Sequence, residues 1–505
     1  MNFQFILKVL KADHNESNVL MADHTCSNSN PQTEAPVLDR DNQRLDRFLD
    51  QLFSDSTCEY ASFSFPIDAI DPLAYLEMCW KSDTYQYYWE KPDEEFAIAG
   101  GDALLTLTAD GSERFEQINT QVEEVTEASA QFSTIPHPYG GIMFLGGFSF
   151  FDCMSDSVWG DFEPASFTLP RWMIIKNGKF SICTISITTT DFDNPTQVRQ
   201  HLQQQLEHIE QTVATNVERN AQNDCFNSIR SASYKNDDQK EKWVQSVEAA
   251  KNYIADNKFE KIVLARQLTV PQKTAVPPTQ VVNNLRQQYT GCYNFLIHQP
   301  AGKTFLGSTP ERLGAFRKQL LLTEALAGSI QRGNTATEDT IFEKHLAGSK
   351  KDRDEHNFVI KDIEERLRPI AKTMDRKDRP DIKKLSNVQH LYTPIRAQLN
   401  EQTSMLDVIE QLHPTPAVGG YPWNNAAEHI EELEHFERGW YAGPVGWFNT
   451  DGHGEFAVGI RSGLFTDNEA HFFAGCGIVA DSNPQTEWEE TNLKLKPMLS
   501  ALQYD

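Results

Sequence analysis

Lys261 opens the apolar run Phe259-Glu260-Lys261-Ile262-Val263-Leu264-Ala265-Arg266, and Glu311 stands in Ser308-Thr309-Pro310-Glu311-Arg312-Leu313. An amine withdrawn from water is disfavoured in its charged form, and the neutral amine can take a proton. A carboxyl in a dry pocket is displaced the other way and keeps a proton to give. The first stretch reads as a strand with the lysine at its start, the second as a strand-ending turn that presents the glutamate. Together they are a base and an acid for one proton-transfer reaction. Each alone has a plainer reading, a snorkelling strand-end lysine and a surface turn acid.

Further along, Leu322-Thr323-Glu324-Ala325-Leu326-Ala327-Gly328-Ser329 places a glycine after a predicted strand, where backbone N–H groups can approach a ligand closely. Lys351-Asp352-Arg353-Asp354-Glu355-His356 opens a helix, and Glu355 projects at the margin of the stripe Val359, Ile360, Ile363 and Leu367. In a last helix, Glu487, Glu490 and Lys494 share one face beside the apolar set Trp488, Leu495, Leu499 and Leu502. Two helices offering carboxylates, with no matching His or Cys set, suit a hard oxygen-liking cation such as Mg²⁺. Arg461, ending the predicted strand from Glu455, could clamp a carboxylate in bidentate fashion. Ala474-Gly475-Cys476-Gly477-Ile478-Val479 leaves bare backbone at Gly475 and Gly477 against which a ligand can sit.

The elements that must hold these residues fall into two textures. From 58 to 190 short strands dominate, at 60–65, 85–89, 96–99, 141–151 and 180–189, followed by an amphipathic helix at 196–213. The polar stretch 219–240 is the expected linker. Beyond it, helices at 239–257, 279–289, 354–367 and 487–502 alternate with strands at 261–270, 293–298, 320–324, 440–449, 455–465 and 470–479. The close spacing of the last three strands favours antiparallel pairing, and the class is α+β. The expected organisation is a disordered segment over 1–40 (with Met21 a candidate start), an α+β region over 41–225 and a catalytic region over 240–505, the latter two fused into one fold.

Forty-six basic against 72 acidic residues give a net charge of −26 over 505 residues. That field repels phosphate backbones and anionic membranes, so neither nucleic acid nor membrane is an expected partner. A site for a small anion must then concentrate its own Arg, Lys and metal. Cys26, Cys58, Cys79, Cys153, Cys183, Cys225, Cys292 and Cys476 include no CxxC pair, which argues for a reducing compartment. No apolar run approaches the roughly 18 residues that span a bilayer. The first ten residues lack a basic start and a small-residue cleavage site, so the expected location is cytoplasmic.

In their order and density, these stretches resemble one family, the chorismate-utilising enzymes. The resemblance covers 240–503 and is carried by KIVLAR, STPERL, TEALAGS, KDRDEHNFV, VQHLYTPI, LHPTPAVGGYP, ERGWYAGPVG, GIRSG, AGCGIV and EWEETNLKLK. It implies large antiparallel sheets stacked with helices outside, and an active site in a cleft of the C-terminal part. Lys261 sits where isochorismate and salicylate synthases carry the lysine that activates water, whereas anthranilate synthases typically have Gln. Ala327 sits where many aminodeoxychorismate synthases place a nucleophilic lysine. Both positions imply water as the nucleophile and no obligatory glutaminase subunit. A shorter match over 65–76, with Tyr88-Trp89 after it, resembles the N-terminal part of menaquinone-pathway isochorismate synthases.

The resemblance thus implies a Mg²⁺-dependent conversion of chorismate to isochorismate, with Lys261 as base and Glu311 as acid. It implies Glu355 and Glu490 as metal ligands, with Asp352 and Glu487 acting through water. Gly328, Ser329, His390, Tyr441, Arg461, Gly475, Gly477 and Lys494 are implied around the substrate. Salicylate synthesis and a siderophore-pathway isochorismate synthase are the nearest alternatives, and a non-catalytic chorismate-binding protein is a remote one.

Overall fold

The computed structural model describes residues 42–502 apart from 56, 136, 156–157, 220–236, 273–275 and 386–387. The segment 1–40, Met21, and most of the 219–240 linker therefore lie outside the described residues. The described residues from Gln43 onward make up one compact unit.

Apolar runs buried on both faces become interior strands, and the strand Lys261–Pro271 is the clearest, with Ile262 to Ala265 all buried. The sheet forks at the strand Ala165–Asn177. One edge of it pairs with Phe96–Ala109 along its length, while the other pairs with Met143–Phe148 near its start and Phe180–Thr188 near its end. From Phe96–Ala109 one arm runs through Gln86–Lys91, Tyr293–His298, Thr304–Thr309, Ser462–Phe465, Glu469–Ile478 and Lys261–Pro271. From Met143–Phe148 the other runs through Pro444–Asn449, His453–Val458, Arg312–Arg317, Leu320–Gln331 and Val388–Leu399. Every one of these pairings is antiparallel. The core between the arms is aromatic, with Trp89, Trp159, Trp440 and Trp447 fully buried.

The expected strand 455–465 is two strands, His453–Val458 and Ser462–Phe465, which belong to different arms. Arg461 consequently sits in a crossover rather than at a strand end, and its φ of 50° lies in the left-handed region. The strand expected at 320–324 continues to Gln331. Gly328 is therefore inside a strand, at the irregularity between Ala327 and Ser329, where a φ of 74° lets a bulge form without ending the pairing. The helices expected from 354 and 487 begin earlier, at Lys350 and Pro484, because Ser349 and Asn483 cap their first turns through side-chain oxygens. Short-range patterning gave no sign of the long strand Ala165–Asn177, on which the fork depends.

Candidate active site

The two arms meet around a cavity of about 470 Å³ whose walls include both Lys261 and Glu311. Lys261 starts its strand opposite Tyr421, and the strand is anchored by a fully buried ion pair. Arg438 contacts Glu434 at 2.6 Å and donates to the carbonyls of Val418 and Val263, while Glu434 accepts from the Ala265 amide. Breaking such a pair leaves a buried charge uncompensated, so it holds the strand in one place.

Sequence reasoning expected a buried Lys261 across one cavity from Glu311, and gave it no ion-pair partner. Its Nζ instead lies 2.8 Å from Glu355 Oε1, with the lysine side chain 12% exposed and the glutamate 35%. The charge of Lys261 holds the Glu355 carboxyl below the ordinary carboxylate range. The stem of Lys261 runs over Gly477, where a Cβ would come 2.6 Å from its Cε. We expect Gly477→Ala to displace the amine while leaving stability nearly unchanged, because the atom it meets ends a flexible side chain. Turnover should fall roughly 10²-fold with little change in Tm. A Gly477→Ala enzyme of normal turnover would remove that constraint on the amine.

Glu311 lies in the crossover between Thr304–Thr309 of one arm and Arg312–Arg317 of the other. The second crossover, 459–461, lies against the first. Ser308 N–H donates to the Arg461 carbonyl at 3.0 Å, and Val458 N–H donates to the Glu311 carbonyl at 3.0 Å. The Glu311 side chain is 8% exposed and accepts from Thr415 Oγ1 at 3.4 Å. Burial, then the nearby charge of Glu324, pushes its carboxyl up to about 7. Arg461 faces Glu311 and Glu490, and among the described residues it closes no ion pair with either. Burial lowers the proton affinity of its guanidinium, and an incoming carboxylate would offset that cost.

Five carboxylates line the cavity from two helices, Asp352, Asp354 and Glu355 from Lys350–Leu367 and Glu487 and Glu490 from Pro484–Ala501. Lys494 Nζ lies 2.5 Å from Glu490 and holds it below the ordinary range, while donating to the Gly475 carbonyl at 2.9 Å. Glu487 is pushed up by burial, with the charge of Glu490 adding to it. Among the described residues no three His, Cys, Asp or Glu side chains are drawn together as metal ligands. Lysines already pair with two of these five acids, Glu355 and Glu490. The donor set is nevertheless all oxygen and mutually repelling, which fits a hard divalent cation in kind.

The other expected substrate residues line the same cavity: Gly328, Ser329, His390, Tyr441, Gly475 and Gly477. His390 Nδ1 is 2.8 Å from Ser329 Oγ, and its Nε2 is buried with no hydrogen-bond partner. Burial and the charge of Arg461 drop its imidazole to about 3, so the ring is neutral at pH 7. Burial raises the Tyr441 phenol, and its ring stacks on Phe473. At Gly475 the carbonyl is engaged by Lys494, so the lysine expected to face a substrate carboxylate is shared here between Glu490 and backbone.

Residues 47–503 match the family described as chorismate binding enzyme. The chain belongs to that family. It is 34% identical over 448 residues to isochorismate synthase MenF of Bacillus subtilis, covering 87% of this chain and 93% of the relative. It is also 34% identical to the salicylate biosynthesis isochorismate synthase of Pseudomonas aeruginosa, covering 87% and 89%. The fold matches the solved structure of MenF, the menaquinone-specific isochorismate synthase of Escherichia coli. The TM-score is 0.70 at 24% identity, over 91% of this chain and 99% of that one. Anthranilate synthase component I from Streptococcus pneumoniae shares the fold at a TM-score of 0.61 and 18% identity, over 80% and 92%.

In this chorismate-binding enzyme, sequence reasoning missed Thr415, which donates to Glu311, and the pair Glu324–Lys383 beside it. Glu324 carried a legible signal, a lone charge within the apolar run Leu320 to Gly328. Thr415 lies within LHPTPAVGGYP without a role assigned to it, and Lys383 carried no signal, since only long-range pairing brings them to the site.

Proposed function

We propose that this chain is an isochorismate synthase, converting chorismate and water to isochorismate reversibly. The observation that carries the reading is one cavity lined by a lysine, a buried carboxyl and an arginine that closes no ion pair among the described residues. Water bonds to C2 of the ring as Lys261 takes its proton. The double bonds shift, the C4–O bond breaks, and Glu311 gives its proton to the departing hydroxyl, which leaves as water. For this direction Lys261 must act in its neutral form beside Glu355. In reverse, a charged Lys261 and an ionised Glu311 are the states required.

Arg461 would take the enolpyruvyl carboxylate, with Tyr441 and the backbone at Gly475 and Gly477 beside it. Ser329 and neutral His390 line the ring, the unpartnered Nε2 facing substrate, and Gly328 leaves room for it. Lys494 would face one of the substrate carboxylates from the helix Pro484–Ala501. Glu355 and Glu490 would hold Mg²⁺, with Asp352 and Glu487 acting through water. Bound there, Mg²⁺ supplies positive charge to the ring carboxylate and offsets the acidic cluster.

Water as nucleophile removes the need for a glutaminase partner. The relatives support the menaquinone pathway over the siderophore pathway. Free cysteines among the described residues suit the cytoplasm, and no described helix is long and apolar enough to cross a membrane.

Incubation with chorismate and Mg²⁺ followed by HPLC tests the activity, with isochorismate expected as sole product. Salicylate with pyruvate would assign the salicylate branch, an aminated product with ammonium salts would assign amination, and binding without turnover would leave a binder. Replacing Glu355 by Gln should weaken Mg²⁺ binding, read by calorimetry, by roughly 10²-fold. An unchanged metal titration would remove Glu355 from the metal site.

A further inference from the structure

The strand Asp381–Lys384 lies at the edge of the second arm, paired with Val388–Leu399 so that Lys383 is opposite His390. Its Lys383 reaches inward. Nζ donates to Glu324 Oε1 at 2.8 Å and to the Pro310 carbonyl, the residue before Glu311, at 3.1 Å. Glu324 is 6% exposed, so its charge is felt by whatever lies next to it. Lys383 therefore ties the crossover that carries Glu311 to the strand that carries Glu324.

We propose that Lys383, through its ion pair with Glu324 and its bond to the Pro310 carbonyl, is a positioning residue for the Glu311 carboxyl. This rests on the reading of Glu311 as the proton donor. A lysine here does two things at once. It fixes the backbone turn that aims the carboxyl into the cavity, and it offsets the negative charge of Glu324 beside it. The remaining groups facing Glu311 are Arg461 from the second crossover and Thr415 from the segment after the helix Met405–Leu412. Lys261 and His390 line the same cavity from their own strands.

Glu324 raises the Glu311 carboxyl, while Arg461 and Lys383 lower it. The signs then separate the two partners. Without Lys383, Glu324 loses its ion pair and keeps Arg312 and Tyr392 near it, so Glu311 keeps its proton to higher pH. Without the charge of Glu324, Glu311 gives up its proton at lower pH.

The test follows the carboxyl directly, by ¹³C NMR of protein labelled at the glutamate side-chain carbonyl, with the Glu311 signal assigned by its loss in Glu311→Gln. The midpoint is expected to rise by about one pH unit in Lys383→Met and to fall by about one in Glu324→Gln, with partial return in Lys383→Arg. The basic limb of forward turnover should move with it. Midpoints that stay put, or move in the same direction in both variants, overturn the clamp. Midpoints that move oppositely while the turnover limb does not follow uphold it, and strike out Glu311 as the proton donor instead. Glu324→Gln keeps the side-chain volume, so the Glu324 arm stands if Lys383→Met fails to fold.

Discussion

Lys261→Ala is expected to abolish isochorismate formation, a loss of roughly 10²- to 10⁴-fold, while the protein stays folded and still binds chorismate. The fold should tolerate it. The anchoring of the strand comes from the buried Arg438–Glu434 pair and from pairing with Glu469–Ile478, not from the lysine. The partner left behind, Glu355, is about a third exposed and can be solvated, so the cost to stability should stay within about 1 kcal/mol. Binding should survive because Arg461 is untouched. Circular dichroism, calorimetry with chorismate and product HPLC read the three outcomes. Near-normal turnover in this variant would remove Lys261 from the chemistry.

Glu311→Gln has the second large expected effect, and it carries two signs. As proton donor in the forward direction, Glu311 works only while protonated. With its carboxyl pushed up to about 7, forward turnover should decline as pH rises through that value, and the reverse reaction should gain across the same interval. Glutamine has no proton to give, so forward turnover should drop by roughly 10²-fold or more at every pH.

Stability moves the other way. The folded-state affinity of Glu311 for its proton is raised above the unfolded value of 4.5. Folding therefore takes up a proton between about 4.5 and 7, and stability falls as pH rises across that window. Above it the parent buries a charged carboxylate. Glutamine removes that cost, so the variant should be more stable at pH 8, by up to about 3 kcal/mol. Thermal melts of the parent and variant at pH 4 and pH 8 check the sign. A variant less stable at both would mean that the buried carboxylate makes favourable contacts which outweigh its desolvation.

The residues proposed for the chemistry could be picked out of the sequence as short motifs, and only their order and density, which resemble chorismate-utilising enzymes, set them together. An apolar run led by a lysine, a turn presenting a glutamate, and acids sharing one helix face with a core stripe all follow from 2.0 and 3.6 residue periods. The same periods located most of the strands that position them, from Lys261–Pro271 to Glu469–Ile478. Local patterning failed where strands change arms. Nothing in 455–465 marks a break, because each half is apolar enough to be a strand, and only the fork of the sheet dictates that 459–461 cross over.

That crossover and its twin at 310–311 decide the site, since they bring Arg461 and Glu311 side by side from positions 150 residues apart. Tertiary structure also decided charge state. Lys261 was expected buried across the cavity from Glu311, and it also meets Glu355 from a helix 94 positions away. Electrostatic environment depends on distance in space, which side-chain type and spacing along the chain do not encode. Sequence therefore determined which groups could act, and the three-dimensional arrangement determined which of them are paired, which are left free, and where the protons rest.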